Sequence, residues 1–431
     1  MSRLRVCIDA RMETGALGGV EQVVIGLADG LSRLDGPEEY LFLTTPGKAD
    51  WLRPYLGGNC REMPVGNPPA WALRAYKLRD FLSRRLPFVR PGLTPPAVPK
   101  DLMASDGTVE WAGVDVIHFP CQMAFMTRVP SIYHPHDLQH LHLPELFPER
   151  DIELRELWYR SFCEQASMVV MMTSWGRRDL LAHYDLPAEK VEVIPWGSVM
   201  DAYPPPTGAD VEAARHELEL PDRFLLYPAQ TWRHKNHERL LEALALVREG
   251  HGEVPTLVCS GHLNEFHEAL ERRVDELDLR GSVRFVGFVT PVQLRSLYQL
   301  ATALVFPSRF EGWGMPVSEA FASGVPVASS SATGLPEVVG DAGLIFDPDS
   351  PAEIADAVWR LWSEPELRRT LAERGAQRAA KFRLDQVAQV FRAHYRRIAG
   401  RRLSGADRAV IDAHRPGPPS PEPTSLESPA A

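Results

Sequence analysis

Apolar residues recur along this chain in two rhythms, short continuous runs and stretches spaced three or four apart, and their alternation predicts the architecture. Residues 4–9 read as a short buried strand. After the Gly18-Gly19 turn, Val20, Val23, Val24, Leu27, Ala28 and Leu31 fall on one face of a helix. Apolar runs at 114–119, 131–134, 168–172 and 191–194 predict further strands with helical stretches between them. A second series follows: strand 224–227, helix 238–248, strand 256–260, helix 264–277, then strands 283–286, 303–306 and 325–328. Strands that alternate with helices in this way build parallel sheets covered on both faces.

The two series are separated at 203–208 (YPPPTG), where three consecutive prolines remove backbone donors. The expected organisation is an N-terminal Rossmann-like domain over 1–202, a linker over 203–222 and a C-terminal Rossmann-like domain over 223–380. Two doubly wound α/β units of this kind bind ligands at the carboxyl ends of their strands, facing one interdomain cleft. Residues 404–431 end in the Pro- and Ser-rich run 415–431 and are expected to form a disordered tail.

Composition narrows the functional classes. The 431 residues include 47 Lys and Arg against 57 Asp and Glu, a net charge of −10, which argues against a general nucleic-acid binder. The five cysteines are widely separated and contain no CxxC pair, so neither a disulfide framework nor a zinc knuckle is expected and a reducing compartment fits. No uncharged run approaches the roughly 20 residues of a membrane span, and Asp9 and Arg11 interrupt the start, so a cytoplasmic location is expected.

The candidate chemistry concentrates in 303–348, which contains FEGWGMPVSEAFASGVPV. Pro316 suits a first helical turn and Gly324 a helix end, so a helix N-terminus follows Gly312-Trp313-Gly314. Such a terminus offers free amides and a positive dipole end to phosphate or sugar oxygens. Glu311 lies in the preceding loop and Glu319 in the helix. One reading has Glu319 accept from a ribose diol while Glu311 contacts a sugar ring. The plainer reading has Glu319 complement the helix dipole and leaves Glu311 solvated.

Three further constellations point toward the same cleft. Arg233 and Lys235, in TWRHKNH, follow a strand end and can stabilise a departing diphosphate. Gly18 and Gly19 permit backbone approach to a phosphate, although a tight turn alone also explains them. His134, His136, His140 and His142 crowd beside Asp137 in YHPHDLQHLHLPE, a set that can ligate zinc or iron; their order departs from the HxHxDH run of metallo-β-lactamases, and no metal is expected.

FEGWGMPVSEAFASGVPV resembles the E-x7-E signature of glycosyltransferase family 4, the retaining, nucleotide-sugar-dependent enzymes of the GT-B fold. The likeness covers roughly residues 4–400 and is strongest in the second half. It implies that Glu311 meets the donor sugar and Glu319 the nucleotide ribose, with the donor held by Gly312, Gly314, Met315, Pro316 and Val317. It also implies that Arg233 and Lys235 contact the diphosphate, that Gly18 and Gly19 lie near the donor phosphates, and that His136 of the HD element reaches the donor sugar. The family's last helix, which crosses back onto the first domain, matches 381–403, and VGFV at 286–289 lies near the expected base site. IPWG at 194–197 carries Trp196 where many relatives have Asn.

The resemblance therefore implies a metal-independent hexosyltransferase that takes a nucleotide diphosphate sugar, GDP-mannose or a UDP-sugar, to a hydroxyl of a glycan or lipid-linked glycan. The mannosyl preference rests on the HDLQH and HKNH segments. Rival readings are a glycoside hydrolase with Glu311 and Glu319 as its acid and base, a non-catalytic nucleotide-sugar or carbohydrate-binding protein, and a GT-B epimerase. Residues 71–90 carry six Lys or Arg and one Asp among aromatic residues, a pattern that seats a helix at an anionic membrane face or forms an ordinary solvated helix.

Overall fold

The computed structural model describes residues 3–12, 19–66, 74, 78, 82, 85 and 101–414. Gly18, most of 71–90 and the 415–431 run lie outside the described residues.

The first domain is built on a seven-stranded sheet of order β3-β2-β1-β4-β5-β6-β7. Its strands are β1 Arg5–Asp9, β2 Glu39–Thr44, β3 Cys60–Pro64, β4 Val116–Phe119, β5 Ser131–Tyr133, β6 Met168–Met171 and β7 Val191–Val193. Every pairing is parallel; Val6 sits opposite Val116 and Arg5 opposite Glu39. The helices in chain order are α1 Gly19–Ser32, α2 Thr108–Trp111, α3 Gln139–His142, α4 Glu149–Gln165 and α5 Ser174–His183.

The second domain repeats the plan. Strands β8 Leu225–Pro228, β9 Leu257–Ser260, β10 Val283–Gly287, β11 Ala303–Phe306, β12 Val327–Ser330 and β13 Gly343–Phe346 form a parallel sheet of order β10-β9-β8-β11-β12-β13. Its helices are α6 Gly208–Glu217, α7 His237–His251, α8 His267–Glu276, α9 Pro291–Leu300, α10 Met315–Ala322, α11 Leu335–Val339, α12 Pro351–Ser363 and α13 Pro365–Ala379. In both sheets the strand order reverses beside the first strand, between β1 and β4 and between β8 and β11. Loops leaving the carboxyl ends of strands at such a reversal open a crevice, and the two crevices face each other.

The closing helix α14, Leu384–Ile398, returns to the first domain. Its apolar face buries Leu384, Ala388, Phe391 and Tyr395 beside α1 and Trp196. Each large side chain buried there contributes roughly 1.5–3 kcal/mol, enough to make the return a structural tie. Trp196 is fully buried with its ring 6.0 Å from Phe391, so this departure from the family pattern fills the seam between α1 and α14.

The 203–222 interval between the two series holds α6, which the reciprocal capping box of Thr207 and Asp210 starts. The tail expected from 404 begins instead with α15, Gly405–Ala413, capped by Ser404 and Asp407 and tied to α14 through Arg396. In both places a short capping motif outweighs a polar, proline-rich neighbourhood. Strand β12 also starts two residues later than its apolar run.

The five cysteines are all buried and unpaired. Among the described residues no helix is long and apolar enough to cross a membrane.

Candidate active site

Between the domains lies a cleft of about 550 Å³, within the range that holds a nucleotide-sized ligand. Its second-domain wall includes the loop after β11, the start of α10 and the ends of β8, β9 and β10. Gly314 caps that helix at φ 89°, a conformation glycine adopts without strain, and a Cβ there would stand 2.5 Å from Leu335. Gly312 is required for a different reason. A Cβ at Gly312 would come within 2.6 Å of the His136 carbonyl in the first domain, so the two walls meet at this residue.

Lys235 reaches the same loop from the end of β8. The 3-10 turn Arg233–Lys235 is fixed behind by Asn236, left-handed at φ 64°, whose amide donates to the Pro307 and Pro348 carbonyls. The Tyr227 hydroxyl donates to the Lys235 carbonyl. Lys235 Nζ donates to Glu311 Oε1 at 2.5 Å, and Lys235 is the one Lys or Arg among the described residues lining the cleft.

Arg233 does not join it. Its guanidinium lies 4.4 Å from the Phe266 ring centroid, outside the cleft lining, because neighbours in a 3-10 turn point in different directions. His234 does line the cleft, but burial and the adjacent Lys235 hold its pKa at about 2, so it adds no charge there. Val317 is also set apart: its side chain is in the core and its amide donates to the Gly314 carbonyl.

Glu319 enters the cleft from the second turn of α10. The Tyr298 hydroxyl donates to Oε2 at 2.7 Å, while buried Oε1 has no partner within hydrogen-bonding distance among the described residues. Burial raises this carboxyl to about 7, opposed by Tyr298 and by Gln22 approaching from α1. A buried carboxylate oxygen without a donor is costly, and a ligand hydroxyl would relieve it.

The first-domain wall includes the α1 N-terminus and the loop after β5, with Gln122 and Met172 beside them. Gly19 starts α1, where a Cβ would stand 3.5 Å from Met315, so the N-termini of α1 and α10 face the same space. Both supply partial positive charge, which matters in a lining with one cation and several carboxyl groups. His136 is left-handed at φ 66°, and its Nε2 donates to the Pro120 carbonyl at 2.8 Å. That bond places the proton on Nε2 and leaves Nδ1 an acceptor; burial lowers the pKa to about 4, so the ring is neutral. Asp137 beside it is pushed up to about 6, chiefly by burial, with Glu311 adding to the shift.

The rest of the histidine run disperses. His134 Nε2 bonds His118 Nε2 at 2.7 Å, and His118 Nδ1 bonds the Tyr395 hydroxyl of α14 at 2.7 Å. His140 bonds Glu156 and His142 bonds Asp179, so the four imidazoles do not converge on Asp137.

Several residues in this arrangement escaped the sequence reading. Asp137 was signalled by its place in the HD pair, whereas Gln22, Tyr298 and His118 arrive from distant elements and carry no local signature. Glu337 is another. From α11 it accepts the Ser174 and Trp175 amides at 2.8 and 2.5 Å, so a second-domain carboxylate caps first-domain helix α5.

The model named Glycosyltransferase Family 4 matches residues 17–198, and that for Glycosyl transferases group 1 matches residues 210–378. The chain is a family 4 glycosyltransferase. The O-antigen chain mannosyltransferase B of Escherichia coli is 28% identical over 249 residues, covering 57% of this chain and 65% of that enzyme, just under two thirds. The D-inositol 3-phosphate glycosyltransferase of Corynebacterium jeikeium is 28% identical over 335 residues, 71% of this chain and 79% of that one. Among solved structures, Anabaena HepE in complex with UDP and glucose superposes with a TM-score of 0.66 at 19% identity, covering 91% of this glycosyltransferase and 99% of that chain. Sucrose-phosphate synthase from Thermosynechococcus elongatus gives 0.66 at 20% identity, over 92% and 100%. At these identities the superpositions establish the GT-B fold.

Proposed function

We propose that this glycosyltransferase moves a hexosyl group, mannosyl by slight preference, from a nucleotide diphosphate sugar to a hydroxyl of a glycan or lipid-linked glycan, with retention and without a metal at the diphosphate. The observation that carries the reading is the convergence of Lys235, the α10 N-terminus and the unpartnered Glu319 oxygen on one cleft. Glu319 Oε1 accepts from the ribose. Glu311, fixed by Lys235, accepts from sugar hydroxyls, and His136 Nδ1 accepts from another.

As the bond between the anomeric carbon and the phosphate oxygen breaks, charge grows on the diphosphate. Lys235 and the amides that open α10 and α1 are already oriented toward it, so little reorganisation is needed. The acceptor hydroxyl bonds the same face of the anomeric carbon, and its proton passes to a departing phosphate oxygen. Arg233 takes part only by leaving Phe266 when donor binds.

The mannosyl preference draws on the O-antigen mannosyltransferase among the relatives. The inositol-phosphate and HepE relatives keep a UDP-sugar and a small phosphorylated acceptor as the competing pair. Incubation with GDP-mannose and UDP-sugars, a glycan acceptor and a chelator tests the reading. Acceptor-dependent nucleotide release with a retained anomer by proton NMR is expected. An inverted product, or hydrolysis of a nucleotide-free glycoside, contradicts it.

A further inference from the structure

Outside the cleft, three groups with metal-ligating atoms meet at the seam between the domains. His142 ends α3, while Asp179 and His183 lie one helical turn apart on α5, so the last two face the same side. His142 Nε2 lies 2.7 Å from Asp179 Oδ1, and His183 Nδ1 lies 3.3 Å from the same oxygen. One ligand atom from each residue lies within 4.8 Å of the others.

We propose that His142, Asp179 and His183 form a divalent metal site of zinc type, distinct from the donor cleft. Two imidazoles and a carboxylate with an open fourth position are an established zinc donor set. Ligand bonds of roughly 2.0–2.2 Å in tetrahedral geometry place neighbouring ligand atoms about 3.3 Å apart. The His183–Asp179 separation already has that value, and His142 Nε2 lies 2.7 Å from the same carboxylate oxygen.

The rings are also held in place from behind. His142 packs against the edge-on pair Trp175 and Phe310, with ring centroids 5.8 and 5.2 Å away, and the His183 ring stands 5.3 Å off at a steep angle. Exposures of 33% and 37% for the two histidines leave room for a water ligand. Binding costs the bond that His183 Nδ1 makes to the Asp179 carbonyl at 2.9 Å.

Phe310 belongs to the second domain and directly precedes Glu311, while Glu337 caps the other end of α5. An ion here therefore clamps α3 and α5 beside the loop that carries Glu311. That consequence for donor KM rests on the reading of the cleft given above; metal binding itself does not.

Titration of the chelator-stripped full chain with cobalt(II) and zinc tests the site. One tightly bound equivalent, an intense visible cobalt spectrum that zinc bleaches, and a zinc-dependent rise in Tm are expected. All three should be lost in H142A and D179N and weakened in H183N, with circular dichroism confirming that each variant is folded. Absence of binding to the wild-type chain at pH 7.5, or equal binding by all three folded variants, overturns the proposal. Zinc binding without any change in donor KM would refute the clamp while leaving the metal site standing.

Discussion

The two walls of the cleft are built in opposite ways. The second-domain wall gathers Glu311, Glu319 and the α10 N-terminus from one strand-loop-helix unit and Lys235 from a nearby loop, with the rest of its lining from the ends of β8, β9 and β10. The first-domain wall has His136 at its centre, but the surrounding histidines are held through β4 and α14, with His134 bonded to His118 and His118 to Tyr395 across 277 positions of sequence. Charged groups carried by one strand-loop-helix unit and a neighbouring loop of the same domain form a fixed donor platform. A wall tied together by long-range contacts depends on both domains and the returning helix, so its geometry is sensitive to how the domains close.

If the second-domain wall supplies the charge chemistry, Lys235→Ala produces the largest loss. Removing a preorganised charge from a developing anion costs about 10²–10³-fold in turnover, with a smaller effect on donor binding. Steady-state kinetics at saturating donor decide this; a loss confined to KM would move Lys235 from chemistry to binding.

Gly312→Ala probes the meeting of the walls, because the added methyl would approach the His136 carbonyl. A displacement there is expected to lower kcat/KM by roughly 10²-fold while Tm changes little, since misplacement of about 1 Å is enough. Wild-type kinetics would mean that the two walls do not need this close approach.

Glu319→Gln sits lower on the scale. Losing the charged acceptor is expected to weaken nucleoside diphosphate binding about tenfold, equivalent to about 1.4 kcal/mol, with kcat nearly unchanged. Because burial lifts this carboxyl from its ordinary 4.5 to about 7, the free protein binds more protons than the unfolded chain between those values. Its contribution to stability therefore falls as pH rises through that window. Ligand binding follows the opposite sign: the ionised form accepts from the ribose, so affinity rises as pH passes 7, and the rise is absent in Glu319→Gln.

Glu337→Gln is expected to have the smallest effect. It weakens one interdomain helix cap, a contribution of about 0.5–2 kcal/mol at most, and raises donor KM about two- to fivefold with kcat unchanged. An effect as large as that of Gly312→Ala would instead make the cap the main determinant of closure.

The same contrast explains what could be read from sequence. Apolar runs such as LLYP, LVCS and ALVF announce buried parallel strands, and G-x-P marks the α10 N-terminus, because these signals are local. Strands β2, β3 and β13 do not stand out in the sequence: EYLFLT and GLIF hold apolar runs of only four and three residues, which periodicity alone cannot assign, and CREMP lies at the sheet edge with little apolar content. Helix α4 was read only as a helical stretch because its sequence is polar, with three residues buried of its 17. Arg233 shows another limit. Spacing places it beside Lys235, but the orientation of successive side chains in a 3-10 turn sends it to Phe266. Tyr298, Gln22, His118 and Glu337 become site residues only through tertiary packing.

The most direct test is calorimetric titration of GDP, UDP, dTDP and ADP into the intact protein and Glu319→Gln, with chelator present, at pH 6 and pH 8. One nucleotide should bind at a single site, more tightly at pH 8, and the substitution should remove both the added affinity and its pH dependence. Binding that required a metal, or that was unchanged by Glu319→Gln at both pH values, would contradict a donor site built on Glu319 and the α10 N-terminus.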